Sequence, residues 1–314
     1  MKKRKKWKVR PFVVSVLRLL ILLAIGYIII YPLFYMIMTS LKAREAFYAS
    51  SRVWIPNILD PAYSYSMAIK ATDFWNSLKS TVVHELFAAI IEVVSCAVAA
   101  YGFARFEFRW KKLFMAGLFL TILIPETMIM IPRMANYSRM DILGIFGGIN
   151  RLTGIDLRLN LIGTPWAFYL PSVFAMGLRS GILMFIYIQF FKGLPQELEE
   201  AAWVDGAGPI RTFILIALPS SGVAFITVSL FAVIWHWNDT LLSAMYLKSD
   251  YPLAVMLDRI AVTLESYGYS GAQRPELMAI LMAACVLFVA PVLILYMILQ
   301  RWFIESIDHV GIKG

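Results

Sequence analysis

Long apolar segments alternate with short polar ones along this chain of 314 residues. Three of the segments contain no Asp, Glu, Lys or Arg, namely Leu19–Met38, Pro219–Asn238 and Leu277–Gln300. Each is long enough for a helix to cross a hydrocarbon core of about 30 Å. The pattern therefore predicts an all-α polytopic membrane protein. It excludes a soluble enzyme, a disordered chain and a secreted disulfide scaffold.

The same pattern predicts six transmembrane helices. In the third, Pro125 breaks the helix and Pro132 closes it, because proline removes a helical hydrogen bond. The expected spans are approximately Val16–Met38, Val83–Phe103, Leu113–Ile131, Val173–Phe191, Pro219–Asn238 and Leu277–Gln300.

The net charge of +9 is concentrated in residues 1–12, which form a basic tail. Such a tail can bind nucleic acid, but directly before a span it more often fixes topology and contacts anionic lipid. We therefore expect lipid contact and no nucleic-acid partner. Basic residues also follow the second span, so six spans place both termini in the cytoplasm. Residues 13–314 would form one transmembrane domain.

Residues for catalysis or cofactor binding are sparse. The two cysteines and three histidines are scattered, so neither a disulfide framework nor a histidine-ligated metal site is expected. The chain lacks the GxxxxGK[ST] phosphate-binding loop, so it is not expected to bind ATP in that way. We predict no catalytic residue, no metal and no cofactor on this chain.

A polar segment, residues 193–218, separates the fourth and fifth spans. Pro195 suits the first turn of a helix, and the glutamates that follow it lie where the helix dipole favours anions. Asp205 and Gly206 predict a turn before a second short helix, Pro209–Ala217. The expected product is a helix–turn–helix on the cytoplasmic face, with small residues that let a partner approach. An ordinary amphipathic connector is the alternative.

This segment resembles the cytoplasmic EAA loop of binding-protein-dependent ABC importer permeases. The matching positions are Glu200, Ala201, Ala202, Asp205, Gly206, Ala207, Leu218 and Pro219. Other segments are similar to the carbohydrate branch, the maltose-type second permease. Among them are Phe74–Leu78, Ala99–Arg105 and the Trp-His-Trp-Asn-Asp sequence of residues 235–239. The third loop, Asn136–Asn160, looks longer than the common form of that family.

The resemblance implies a type I ABC importer permease fold in the bacterial inner membrane. It implies a heterodimer with a second permease subunit, two ATP-binding cassette subunits at the coupling loop and an extracytoplasmic solute-binding protein. The ATPase subunits would bind ATP and Mg²⁺, so this chain would not be an enzyme. The substrate would be a sugar or oligosaccharide.

Three other functions compete with a sugar permease. An ABC permease for an amino acid, polyamine or phosphate is the alternative, because the EAA loop is shared. A membrane enzyme would need clustered His, Asp or Glu at a membrane face, and no such cluster is found in the sequence. A secondary transporter would usually show repeated halves, and no clear repeat is found.

Three charged residues lie inside predicted spans, where charge is costly and often functional. Counting from the cytoplasmic ends at 1.5 Å per residue places Glu92, Glu126 and Arg179 at a common depth of about 18–21 Å. Equal depth predicts that Arg179 pairs with one of the two carboxylates. The pair would hold the helices in register or line a polar path for sugar, and local water exposure is a third interpretation.

A second candidate group lies near the outer end of the fifth span and comprises Trp235, Trp237, Asn238 and Asp239. Aromatic rings stack on sugar faces, and amide groups bond to hydroxyls. Tryptophan near the end of a span is also common at the lipid headgroups. The sequence leaves both interpretations open.

Overall fold

The computed structural model describes residues 9–43, 45, 58–141, 144–269 and 275–311, and it places the side chains of these residues except 9–12, 275 and 302–311. Most of the predicted basic tail, residues 1–8, therefore lies outside the described residues. Within the described residues, extended pairing is limited to two isolated bridges, Lys42 with Leu59 and Met140 with Leu159. The fold is otherwise helical, as predicted.

The α-helices in chain order are α1 (Val9–Ser40), α2 (Pro61–Ala71), α3 (Phe74–Ser80), α4 (Phe87–Arg105), α5 (Lys111–Leu123), α6 (Glu126–Ser138), α7 (Ile145–Thr153), α8 (Trp166–Val173), α9 (Ser180–Gly193), α10 (Glu197–Val204), α11 (Pro209–Thr212), α12 (Leu218–Ser220), α13 (Gly222–Trp237), α14 (Leu241–Tyr246), α15 (Leu253–Asp258), α16 (Ile260–Ser266) and α17 (Pro275–Gly311). Two π-helical segments, Thr81–Leu86 and Phe213–Ala217, join α3 to α4 and α11 to α12.

The chain divides into two compact units, and the first comprises Met1–Ala71 and Ile260–Val289. In this unit α2 contacts both α1 and α16. The hydroxyls of Ser40 and Tyr65 are 3.0 Å apart, and the hydroxyl of Tyr63 bonds to that of Tyr269. Most large apolar side chains of α1 are exposed, as expected for a helix with a lipid-facing surface.

The second unit comprises Thr72–Arg259 and Ala290–Gly314. Helix α4 lies at its centre and packs against α8, α9 and α13. Alanines of α4, including Ala89, Ala97 and Ala100, are fully or almost fully buried. Small side chains allow membrane helices to approach closely. Larger residues of α9, such as Tyr187 and Phe191, fill the same core.

Three helical stretches are long and apolar enough to cross a membrane, namely Val13–Ser40, Phe74–Arg105 and Glu276–Arg301. Two bent pairs raise the number to five if each pair is one span. They are Lys111–Leu123 with Glu126–Ser138, bent by 105°, and Pro209–Ser220 with Gly222–Trp237, bent by 82°. Helix α9 is a shorter apolar helix in the fourth predicted span. The number six stays a prediction.

The third predicted span breaks where expected and ends later than expected. Ile124 is extended and Pro125 precedes the first residue of α6, so the break at Pro125 is confirmed. The expectation that Pro132 closes the helix is wrong, because α6 continues through it to Ser138. Proline removes one backbone hydrogen bond, and the rest of α6 retains the helical conformation around it.

The fourth predicted span is not continuous. Helix α8 ends at Val173 and α9 begins at Ser180. Between them, Ala175 and Arg179 have φ values of 54° and 58°, in the left-handed region. A residue in that region ends a right-handed helix, so the uninterrupted helix predicted over Val173–Phe191 is wrong.

Candidate functional site

The polar segment between α9 and α13 folds as the predicted helix–turn–helix. Helix α10 is followed by Gly206 at φ 81°, and α11 starts with Pro209 in its first turn. Glycine adopts this left-handed conformation at no steric cost. We call residues Glu197–Thr212 the coupling segment.

A buried salt bridge attaches the coupling segment to α4. Arg105 donates from Nε to Oε1 of Glu199 over 2.8 Å, and both side chains are at most 4% exposed. The Tyr101 hydroxyl donates to the other oxygen, Oε2, at 3.0 Å. Arg105 also donates from Nη2 to the carbonyl of Leu194 over 2.9 Å. Helix α10 is therefore held to the end of α4 by four polar groups.

The opposite side of the coupling segment is exposed. Val204 and Ile210 are 88% and 77% exposed, and Leu198 and Trp203 are also exposed. Of the residues that match the EAA pattern, Glu200, Ala201, Asp205, Gly206 and Pro219 are exposed, whereas Ala202, Ala207 and Leu218 are partly buried. The segment thus combines a fixed attachment with an open, largely apolar surface.

A second polar group is buried where α4, α9 and α13 meet. His236 lies between two glutamates, with its Nδ1 at 2.9 Å from Oε2 of Glu85 and its Nε2 at 2.8 Å from Oε2 of Glu92. All three side chains are at most 3% exposed. Because both ring nitrogens face carboxylate oxygens, the arrangement fits an imidazolium, which donates from both.

Hydroxyl groups complete this buried cluster. Ser180 donates to Glu92, and Ser243 donates to Oε1 of Glu85 over 2.5 Å. The Ser243 hydroxyl also lies 2.9 Å from Oδ2 of Asp239. Asp239 accepts the backbone N–H groups of Leu242 and Ser243 at the start of α14. We call Glu85, Glu92, Ser180, His236 and Ser243 the buried cluster.

The ion pair predicted for Arg179 is not formed in this structure. Glu92 belongs to the buried cluster, and Glu126 accepts from Nη1 of Arg133 over 2.6 Å. The guanidinium of Arg179 lies over the Trp235 ring, 5.1 Å from its centroid. Equal depth in the membrane did not suffice to predict the pair. The chain is interrupted just before α6 and just before α9, and these interruptions direct the side chains of Glu126 and Arg179 to other neighbours.

A cavity of about 520 Å³ lies beside the buried cluster, a size typical of small-molecule sites. It is bordered by parts of α5, α6, α8 and α9 and by the break between α8 and α9. Its charged lining residues are Glu126, Arg133 and Arg179. Most of the other lining residues are apolar.

The second candidate group does not gather around this cavity. Trp235 packs on Phe231 with ring centroids 5.4 Å apart, and Trp237 is 4% exposed. Asn238 donates from its side chain to the carbonyl of Ile234 over 2.7 Å. Asp239 borders a smaller cavity, together with Glu85, Arg133 and His236. Trp235 therefore contacts Arg179, which lines the cavity of about 520 Å³, called the large cavity below. Trp237, Asn238 and Asp239 do not line this cavity.

Comparison with known proteins decides the family. The model of the family described as "binding-protein-dependent transport system inner membrane component" matches residues 93–309. This chain belongs to that family. It is a permease subunit of an ABC importer and a multi-pass membrane protein.

Relatives match the permease over nearly all its length. It is 25% identical over 321 residues to the probable ABC transporter permease protein YurM of Bacillus subtilis, covering 100% of this chain and 92% of the relative. It is 25% identical over 284 residues to the melibiose/raffinose/stachyose import permease protein MelC of the same species, covering 90% and 91%.

A solved structure has the same fold. The permease matches a chain in the crystal structure of a bacterial ABC transporter involved in the import of the acidic polysaccharide alginate, with a TM-score of 0.68 and 17% identity. The match covers 96% of this chain and 100% of that chain. The type I importer permease fold expected from the sequence is thereby confirmed.

Five polar residues of the permease were not predicted from the sequence: Glu85, Arg133, Ser180, His236 and Ser243. A spacing signal was present, since Glu85 with Glu92 and Glu126 with Arg133 are each seven residues apart. Seven residues are about two helical turns, so each pair occupies one helix face. His236 lies within residues 235–239, which were singled out in the sequence. Its pairing with glutamates was missed because the histidines were considered only as metal ligands.

Proposed function

We propose that the permease carries a sugar or oligosaccharide across the inner membrane and that ATPase subunits drive it through the coupling segment. An external binding protein delivers the substrate, and a second permease subunit completes the passage. The names of the relatives support a saccharide, since they include the import of melibiose, raffinose and stachyose and of arabinooligosaccharides. The basic tail supports a cytoplasmic position for both termini.

The observation that carries the coupling role is the buried attachment of α10. If an ATPase subunit displaces α10, that displacement reaches the rest of the permease only when α10 is rigidly attached to it. The Glu199–Arg105 salt bridge and the Tyr101 hydroxyl fix α10 to the C-terminal end of α4. A buried ion pair with additional hydrogen bonds keeps one geometry, because its alternatives leave a charge unpaired.

Helix α4 then connects the coupling segment to the interior of the second unit. It carries Arg105 at its last turn and Glu92 in the buried cluster. Glu92 bonds both to Ser180 at the start of α9 and to His236 in α13. Movement of α10 would therefore be transmitted to three packed helices together.

Gly206 provides a test with a matched control. We expect Gly206→Ala to lower transport and transport-linked ATPase activity several-fold, since a left-handed backbone costs a non-glycine residue roughly 1–2 kcal/mol. Gly208→Ala adds the same methyl group two residues away, where φ is −75°, and should change little. Neither added Cβ meets another atom within 4 Å, so the two variants differ mainly in backbone conformation.

The assay uses the complete complex in proteoliposomes with its binding protein and measures labelled saccharide uptake and ATP hydrolysis. Equal activity of both variants would contradict the coupling role of the turn. Uptake of an amino acid, polyamine or phosphate, with no uptake of any saccharide, would favour the alternative substrate classes.

A further inference from the structure

Of the three charged residues in the described lining of the large cavity, two form an ion pair and the third, Arg179, does not. Glu126 and Arg133 neutralise each other across 2.6 Å. Arg179 lines the same cavity, and its cationic group contacts the face of Trp235. Among the residues that the structure describes, no carboxylate lies within salt-bridge distance of Arg179. The described lining therefore has an excess of one positive charge.

Trp235 and the backbone orient this guanidinium. Its central carbon lies over the Trp235 ring, 5.1 Å from the ring centroid. A cation–π contact supplies no hydrogen-bond acceptor, so it leaves the N–H donors of the guanidinium available to another partner. The left-handed backbone of Arg179 at the start of α9 sets where the side chain leaves the main chain.

We propose that Arg179 recognises an anionic group on the substrate, so that the permease carries a saccharide bearing a carboxylate or a phosphate. This inference rests on the proposed function of saccharide transport. A guanidinium bonds such groups through two parallel N–H donors, whereas a neutral hydroxyl accepts only one. Binding of such a group compensates the excess positive charge of the described lining.

Arg133 has a different role in this proposal. Its guanidinium is already engaged by Glu126, so it contributes little net charge to the cavity. Selectivity for an anion then depends on Arg179, and substitution of this one residue should remove it.

The experiment measures equilibrium binding of labelled saccharides to the complete complex in nanodiscs, without the binding protein. Trigalacturonate is compared with galactotriose, and galactose 6-phosphate with galactose. Within each comparison the anionic ligand differs chiefly by its charged group. We expect at least one anionic ligand to bind about tenfold more tightly than its neutral match, as for hydrogen bonds to charged groups. The comparison that shows the preference identifies carboxylate or phosphate.

Substitutions test whether the preference for anionic ligands depends on Arg179. Arg179→Gln should abolish it, and Arg179→Lys should retain part of it, because lysine keeps the charge without the two-donor geometry. Arg151→Gln, at an exposed arginine of α7, is the control and should leave the preference unchanged.

Three outcomes would overturn the proposal: equal affinity for anionic and neutral ligands, no measurable binding of any of them, or a preference that survives in Arg179→Gln. If Arg179 instead contacts the second permease, Arg179→Gln would reduce assembly of the complex on gel filtration and weaken all ligands alike. Uptake of any saccharide, anionic or neutral, in proteoliposomes reports separately on the proposed function, so the two can fail independently.

Discussion

The buried cluster and the large cavity handle charge in opposite ways within the same unit. In the cluster, His236 contacts two glutamates, and serine hydroxyls satisfy further oxygens. In the cavity, Arg179 contacts an aromatic ring, and Glu126 is occupied by Arg133. The two regions adjoin, since Arg133 and His236 both border the smaller cavity. Charged groups that all hydrogen-bond to one another suit a joint between helices, whereas a cation without a carboxylate partner suits a site for a ligand.

The largest expected effect is loss of stability when the buried cluster is broken. His236→Gln leaves Glu85 and Glu92 without a cation, and removal of one partner from a buried ion pair typically costs about 3–5 kcal/mol. The midpoint of thermal unfolding of the purified complex, followed by fluorescence-detected gel filtration, should fall clearly.

Two further variants sharpen this result. His84→Gln removes another buried histidine, whose ring bonds to Ser80, and should cost only about 1 kcal/mol. Adding Glu85→Gln and Glu92→Gln to His236→Gln should restore part of the stability, because no buried charge is then left unpaired. A triple variant less stable than the single one would contradict the charge argument.

An intermediate effect is expected at Glu126, mainly on binding. The Glu126 and Arg133 side chains are 28% and 22% exposed, so Glu126→Gln should change stability by about 1 kcal/mol or less. It also removes the carboxylate that neutralises Arg133, so the net positive charge of the cavity lining increases. The affinity for the anionic ligand should therefore rise a few-fold in equilibrium binding, and the gain should shrink at high ionic strength.

The pair of the exposed Glu107 with Lys111 supplies the control for this variant. Glu107→Gln removes a carboxylate outside the cavity lining and should leave the affinity unchanged. A decrease in anion affinity for Glu126→Gln would mean that Glu126 orients Arg133 for the ligand instead of neutralising it.

The smallest expected effect is the change in stability for Arg179→Gln. This variant removes the interaction of the guanidinium with the Trp235 ring, and a cation–π interaction contributes about 0.5–1 kcal/mol at exposed sites. The thermal midpoint should therefore shift far less than for His236→Gln. A decrease as large as that of His236→Gln would place Arg179 among the structural residues and remove the contrast between the two regions.

The coupling segment could be predicted because its signals are contiguous. Pro209 starts a helix, Gly206 permits a left-handed turn and the glutamates of α10 lie at a helix N-terminus. All of these act within a few residues of backbone. The buried role of Glu199 was a different matter, since it depends on Arg105, which lies 94 positions away.

The ion pairs could not be predicted from depth alone. Depth is one coordinate, and a salt bridge also requires that two side chains face each other. Glu92 points toward α13, and the breaks at Pro125 and Arg179 redirect the chain. The predicted pairing assumed continuous helices, and it is wrong because the helices are interrupted at these two positions.

The sequence by itself determined the class of protein, the apolar segments that form its long helices and the helix–turn–helix of the coupling segment. These features follow from apolar transfer and backbone preference, which are local properties that add up along the chain. The tertiary structure alone decided which charges meet, which stay buried and which face a cavity. Such choices depend on helix rotation and on breaks between helices, where contacts distant in sequence outweigh local preference.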